Sequence, residues 1–181
     1  MSYKADFHIH SYYSDGIMKP TELVRMYKDK EYDVIALTDH DGVDGVPEAV
    51  IAGEALQIQV IPGVEIGCGY DFGEQRLELH ILGYYINIED QKLKEYLGKL
   101  KENRQDRNQR LLKHLQDLGY DLTYEDLIER PGQTYIGKPN FARAMKKKEI
   151  APDNMWEIFD QIEKQNRSAY ETIEVIREAG G

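Results

Sequence analysis

Residues 33–41 read Asp-Val-Ile-Ala-Leu-Thr-Asp-His-Asp, an apolar run that turns abruptly polar at its C-terminal end. Asp33 to Leu37 suits a short strand covered on both faces. Thr38, Asp39, His40 and Asp41 then fall where open α/β sheets and α/β barrels carry their sites. The same arrangement recurs on either side. Upstream, residues 3–9 predict a strand in which Ala5, Phe7 and Ile9 alternate with Asp6 and His8. His8 and His10, two apart at its close, share one face. A polar loop from Ser11 to Gly16 follows, then a helix with Thr21 as N-cap after Pro20. Downstream, a helix over 44–56 precedes a short strand from Gln59 to Pro62, which ends in Gly63-Val64-Glu65. A glycine-rich loop over 67–73 leads to a fourth strand, Leu77 to Tyr85, carrying His80. Short apolar runs alternating with helices predict consecutive βα units, a mainly parallel sheet and an α/β fold.

Beyond residue 89 the pattern changes. Leu93, Leu97, Leu100, Leu111, Leu115 and Leu118 follow helical spacing and predict a long amphipathic helix over 89–118, ending at Gly119. Further helices are expected over 123–129, 139–149, 153–164 and 168–179, with breaks at Pro131-Gly132 and Pro152. The second half therefore reads as a helical insertion over 89–167, with 168–181 beginning a return to the strand-bearing part formed by 1–88.

Composition narrows the function classes. The chain has 181 residues, 41% hydrophobic and 31% charged, and a net charge of −10. That balance argues against gripping duplex DNA. No long apolar stretch or signal core is present, so neither a membrane partner nor export is expected, and a cytoplasmic location is. Cys68, the sole cysteine, sits between Gly67 and Gly69 and reads as structural or incidental.

Four of the five histidines, His8, His10, His40 and His80, lie in the first 80 residues. Together with Asp15 and Glu65 they form a set in which imidazole and carboxylate donors suit zinc, manganese or iron. Such ions hydrolyse phosphate esters by activating water and by neutralising phosphoryl oxygens, with a carboxylate bridging between them. The plainer reading takes each histidine as a bonded core residue and each Asp-Gly as a turn. Independent turns and core histidines would not be expected to gather at successive strand ends, so the metal reading is preferred.

His8-x-His10 with Ser14-Asp15-Gly16, then Thr38-Asp39-His40, Gly63-Val64-Glu65 and Leu79-His80-Ile81-Leu82-Gly83-Tyr84, resembles the PHP (polymerase and histidinol phosphatase) family. The resemblance implies the N-terminal part of a distorted (βα)7 barrel with two or three divalent ions at its C-terminal face. It assigns His8 and His10 to one metal, Asp15 and His40 to another, Glu65 to the bridge and His80 to a third position. Asp15, His40 and Glu65 would carry the catalysis.

Ile136-Gly137-Lys138-Pro139-Asn140-Phe141-Ala142-Arg143 is similar to a segment of PHP members that hydrolyse nucleoside 3′,5′-bisphosphates and shorten 5′-phosphorylated RNA. It implies a small phosphorylated nucleotide or an RNA 5′ end as partner, held by Lys138 and Arg143. Lys138 stands where that segment usually has arginine, and Asn140 where it has histidine. Arg143 also reads as part of a solvated face with Lys146, Lys147 and Lys148. Alternatives from other classes are a histidinol-phosphate-type phosphatase, the PHP domain of a DNA polymerase, and a non-catalytic metal-binding fragment.

Several weaker signals stay open. Arg104, Arg107 and Arg110 read as a salt-bridged face in preference to an RNA track, and His114 as packing or surface. Tyr12 and Tyr13 would stack on a base or pack the loop. Asp39 and Asp41 would orient neighbouring ligands, or Asp41 would cap the next helix. The family pattern continues with a His-Pro and an Asp-x-His, and no histidine follows His114. The expectation is a truncated chain lacking three ligands and impaired on its own, with an exposed barrel edge available for self-association.

Overall fold

The computed structural model describes residues 3–162 and 167–181. In chain order the elements are β1 (Ala5–Ile9), α1 (Pro20–Asp29), β2 (Val34–Leu37), α2 (Val46–Leu56), β3 (Gln59–Phe72), β4 (Gln75–Tyr84), α3 (Gln91–Asp117), α4 (Lys138–Lys147), α5 (Met155–Asp160) and α6 (Ala169–Glu178), with a 3-10 turn at Glu125–Leu127. They divide into two compact units, Met1–Gly98 with Asn166–Gly181, and Lys99–Gln165.

The first unit is α/β, built on one curled half-barrel sheet of order β1-β2-β3-β4. β1 and β2 pair in parallel, as do β2 and β3. β2 shows why an unbroken Val-Ile-Ala-Leu is needed at its position. Ile35 and Leu37, with Ile9, pack on Leu23 and Val24 of α1 and on Val46 and Ala49 of α2. Val34 and Ala36 face the other way, against Ile61 and Tyr84. Burying each Val, Ile or Leu side chain among these contributes about 1.5–3 kcal/mol.

Helix α1 begins earlier than expected. Lys19 is the N-cap and Pro20 takes the first helical position, where its fixed φ suits the turn and no N–H is needed. Thr21 is inside the helix, and its N–H and hydroxyl both donate to Glu48 Oε1, at 3.1 and 2.7 Å.

The larger correction concerns 67–73. These residues are not a loop between βα units, because β3 runs on through them to Phe72 and pairs antiparallel with β4. The connection is a tight turn in which Gly73 takes φ 62°, as two-residue hairpin turns favour. Gly67 and Gly69 have another role. A methyl group at 67 would lie 3.8 Å from His80 Nε2, and one at 69 would fall 2.5–2.7 Å from the guanidinium of Arg76. Glycine at 69 marks close approach of a side chain to the strand, whereas the spacing at 67 is an ordinary van der Waals contact. The sheet is therefore mixed, and the third and fourth strands form a hairpin.

α6 covers the opposite face of that hairpin. Ser168 caps it by accepting from Glu171 N–H at 3.1 Å. Tyr96 and Thr172 bond through their hydroxyls at 2.7 Å. Cys68 is buried at this face, as a structural thiol would be.

The second unit packs α3, from Lys99 onward, with α4 and α5 around Leu111, Leu115, Leu122, Leu127, Phe141, Met145 and Phe159. α3 is continuous to Asp117, and Leu118, just past its end, is exposed. The helix expected over 123–129 is a single 3-10 turn. Pro131 disfavours helical backbone at the residue before it, which limits extension. The helix expected over 153–164 spans only Met155–Asp160; residues 163 and 164 lie outside the described residues. Among the described residues, no helix is long and apolar enough to cross a membrane.

Candidate metal centre

Three chain segments converge on Glu65 of β3. His8 is in β1, and His10 follows the strand's end. His40 follows β2 and forms a parallel bridge with Glu65 of β3. His80 of β4 lies across from Gly67. Backbone bonds fix the register: Glu65 N–H donates to Asp39 O at 3.1 Å, and Asp41 N–H donates to Glu65 O at 2.8 Å.

Glu65 is only 2% exposed, yet its carboxylate meets four imidazoles. Oε2 lies 2.9 Å from His8 Nε2, 3.1 Å from His10 Nε2 and 3.3 Å from His40 Nδ1. Oε1 lies 2.6 Å from His80 Nδ1. Asp15 approaches from the Ser11–Gly16 loop, 3.4 Å from His10 Nδ1 and 3.6 Å from His40 Nε2. All six residues expected as ligands are thus brought together.

The protonation pattern follows. Burial alone would raise the Glu65 carboxyl, but bonds from His10, His80 and His8 outweigh it and hold the group well below the usual carboxylate range. Glu65 and then Glu78 push the His80 imidazole up to about 10. Burial works against charging His10, but Glu65 and Asp15 prevail and raise it. For His40, burial wins over the same two carboxylates and lowers it.

Neighbouring ligands on an ion at ~2.0–2.2 Å stand roughly 3.0–3.5 Å apart in tetrahedral or octahedral shells. Most of the donor separations above fall in or close to that range; His80 sits nearer, at the length of a charged hydrogen bond. Among the described residues, three sets have ligand atoms within 4.8 Å of one another: His8, His10 and Glu65; His10, Asp15 and His40; His40, Glu65 and His80. Glu65 belongs to two of them, the property a bridging carboxylate needs. The donor set fits divalent transition metals.

Asp39 supports this cluster in a way its sequence position did not reveal. It is 1% exposed and accepts from Ser11 N–H at 2.7 Å and from the Ser11 and Ser14 hydroxyls, each at 2.6 Å. Burial raises its carboxyl despite these bonds. Asp39 thereby ties down the loop between His10 and Asp15. Asp41 leaves the N-cap of α2 to Gly45. It takes φ 49° and accepts Gly67 N–H at 3.2 Å, joining the end of β2 to β3. Tyr12 and Tyr13 pack on each other with ring centroids 4.5 Å apart.

In the second unit, Lys138 forms an ion pair with Asp160. Arg143 sets its fork against both carboxylate oxygens of Glu129, Nη2 at 3.1 Å from Oε2. Asn140 is buried and accepts Gly137 N–H at 3.0 Å, so it braces the start of α4. Of the arginine stripe, Arg104 lies over the Tyr135 ring at 4.3 Å and Arg110 pairs with Asp106 at 2.9 Å. His114 meets Gln161 at 3.1 Å.

Sequence reasoning missed Arg76 and Glu78. Their spacing from His80, four and two residues along a strand, was the available signal; treating 67–73 as a loop concealed it.

The family model for the PHP domain matches residues 6–177. The chain is 26% identical over 187 residues to the 5′-3′ exoribonuclease Rnm of Salmonella typhimurium, covering 97% of this chain and 62% of the relative. It is 32% identical over 114 residues to the 3′,5′-nucleoside bisphosphate phosphatase of Chromobacterium violaceum, covering 63% and 39%. A solved structure from Bifidobacterium adolescentis, described as a metal-dependent phosphoesterase, superposes with a TM-score of 0.85 at 23% identity, covering all of this chain and 65% of that one. The chain thus spans less than two thirds of each of these proteins' length.

Proposed function

Since the chain belongs to the PHP domain family, we propose that it forms the metal-holding part of a phosphoesterase that hydrolyses phosphate from nucleoside 3′,5′-bisphosphates, from the 5′ ends of short RNA, or from both. The observation that carries this reading is the buried Glu65 carboxylate ringed by His8, His10, His40 and His80, with Asp15 beside two of them. Two or three divalent ions bound there, manganese, zinc or iron, would supply an activated water and neutralise phosphoryl charge. His8 and His10 would hold one position, Asp15 and His40 a second, and His80 a third, with Glu65 spanning them.

Asp39 keeps the Asp15 loop in place, so that Asp15 enters the site from a fixed direction. Lys138 and Arg143 would hold substrate phosphate, each exchanging its present carboxylate partner for it. In this reading 1–88 is the barrel portion, 89–167 the helical insertion, and 168–181 the return. The two named relatives, an exoribonuclease and a bisphosphate phosphatase, support the substrate class.

Inorganic phosphate release with manganese tests the assignment, on this chain and on any longer product of its coding sequence. Adenosine 3′,5′-bisphosphate is expected to be hydrolysed in preference to histidinol phosphate. The reverse preference would replace the nucleotide reading with a histidinol-phosphate one. Release from neither would leave a metal-binding module.

A further inference from the structure

The β3–β4 hairpin carries a cation on the face of the metal centre. Side chains alternate along a strand, so Arg76, Glu78 and His80 point to one side of β4. Their cross-strand partners, Asp71, Gly69 and Gly67, continue the face that bears Glu65. The Arg76 guanidinium lies flat across Gly69, since a methyl group there would fall 2.5 Å from Nη2 and 2.6 Å from Nε. Two residues earlier in β3, Gly67 lies across from His80, where a methyl group would sit at ordinary contact distance, 3.8 Å from Nε2. Two strand residues span ~7 Å, so the guanidinium and the His80 ligand lie about one nucleotide unit apart.

Asp71 is one partner of the fork. Nη1 donates to Asp71 Oδ1 at 2.9 Å and to Oδ2 at 3.2 Å. Both side chains are at least half exposed, so solvent screens the pair and an incoming anion can compete for it. Glu78, the acidic neighbour between Arg76 and His80, lies 3.6 Å from His80 Nε2.

We infer that Arg76 is a specificity-determining residue that takes the second, unhydrolysed phosphate of the substrate: the other phosphate of a nucleoside bisphosphate, or the next internucleotide phosphate of RNA. The inference rests on the phosphoesterase reading above. Asp71 acts as a placeholder for that phosphate, and Gly69 provides the bed on which the guanidinium lies. Arginine suits the role because its planar fork meets phosphate with two parallel bonds.

The test is equilibrium binding by calorimetry in EDTA at low salt, which needs no turnover. The probes are adenosine 3′,5′-bisphosphate and adenosine. Wild type should bind the bisphosphate more tightly. Arg76→Gln should weaken bisphosphate binding roughly tenfold or more, the scale of a charged hydrogen bond, and leave adenosine unchanged. Gly69→Ala, which lifts the guanidinium, should behave likewise, while Asp71→Asn should tighten the bisphosphate. If Arg76→Gln weakens both ligands equally or neither, Arg76 is only a hairpin brace and the inference falls. Loss of thermal stability in Arg76→Gln and Asp71→Asn without a change in bisphosphate preference overturns it as well. If wild type binds neither ligand, and no phosphate is released from the bisphosphate with manganese, the phosphoesterase reading itself has failed.

Discussion

The two units treat charge in opposite ways. Around Glu65, one buried carboxylate is shared among four imidazoles, a concentration of donors that no single proton distribution satisfies well. In the second unit the charges pair off locally: Lys138 with Asp160, Arg143 with Glu129, Lys113 with Asp117, and Lys148 with Asp126. The first arrangement makes sense as a site poised for cations. The second is a surface already compensated by its own partners. A phosphate arriving at Lys138 or Arg143 must displace a carboxylate, whereas a metal arriving at Glu65 displaces protons.

The sharpest way to break this contrast is Glu65→Gln. The amide keeps the shape and removes the bridging charge. Metal affinity should fall by more than the ~10–100-fold typical when a supporting residue of a metal site is lost, read as lost metal content by elemental analysis after dialysis, with the far-UV circular dichroism spectrum retained. Undiminished zinc or manganese in the variant would show that the cluster is a hydrogen-bonded core and no metal centre.

Phe141→Ala probes the other side. Phe141 is fully buried and stacks edge-on against Phe159 at 6.1 Å. Removing it should cost about 3–5 kcal/mol in denaturant unfolding while metal content stays at the wild-type level. A parallel loss of metal would mean that the two regions are not energetically separable.

Much of this contrast was legible in the sequence, for identifiable reasons. The six candidate ligands stood out because polar residues closing apolar strands have few structural uses, and their approach to Glu65 needed no long-range inference beyond strand order. The α/β class followed from β2, where Val34 to Leu37 is apolar on both faces. The hairpin did not, because glycine signals a loop and a close approach equally well, and only the cross-strand position of Arg76 and His80 tells them apart. Asp39 stands beside His40 in the chain, but its bonds to Ser11 and Ser14 span 28 and 25 residues, which local spacing cannot show. The partners of Lys138 and Arg143 were equally hidden, at 22 and 14 residues' separation.

The smallest expected effect tests whether pairing in the second unit contributes to its folding at all. Asp126 accepts from Thr123 N–H at 2.8 Å and hydroxyl at 3.0 Å, and meets Lys148 Nζ at 2.9 Å. Lys148, with help from the Thr123 N–H, holds the Asp126 carboxyl down at about 2, below its ordinary value near 3.8. A carboxyl lowered by folding stabilises the folded state when ionised, and protonation removes that contribution. The stabilisation should therefore be complete above about pH 4 and drain away as pH falls towards 2. Asp126→Asn should lower the unfolding midpoint slightly at pH 6, within the modest range of exposed ion pairs, and the difference from wild type should shrink as pH approaches 2. A difference that persists unchanged to pH 2 would assign the effect to the Thr123 turn alone and leave the Lys148 pair without energetic weight. The local pairing that sets this unit apart from the Glu65 cluster would then be geometric only.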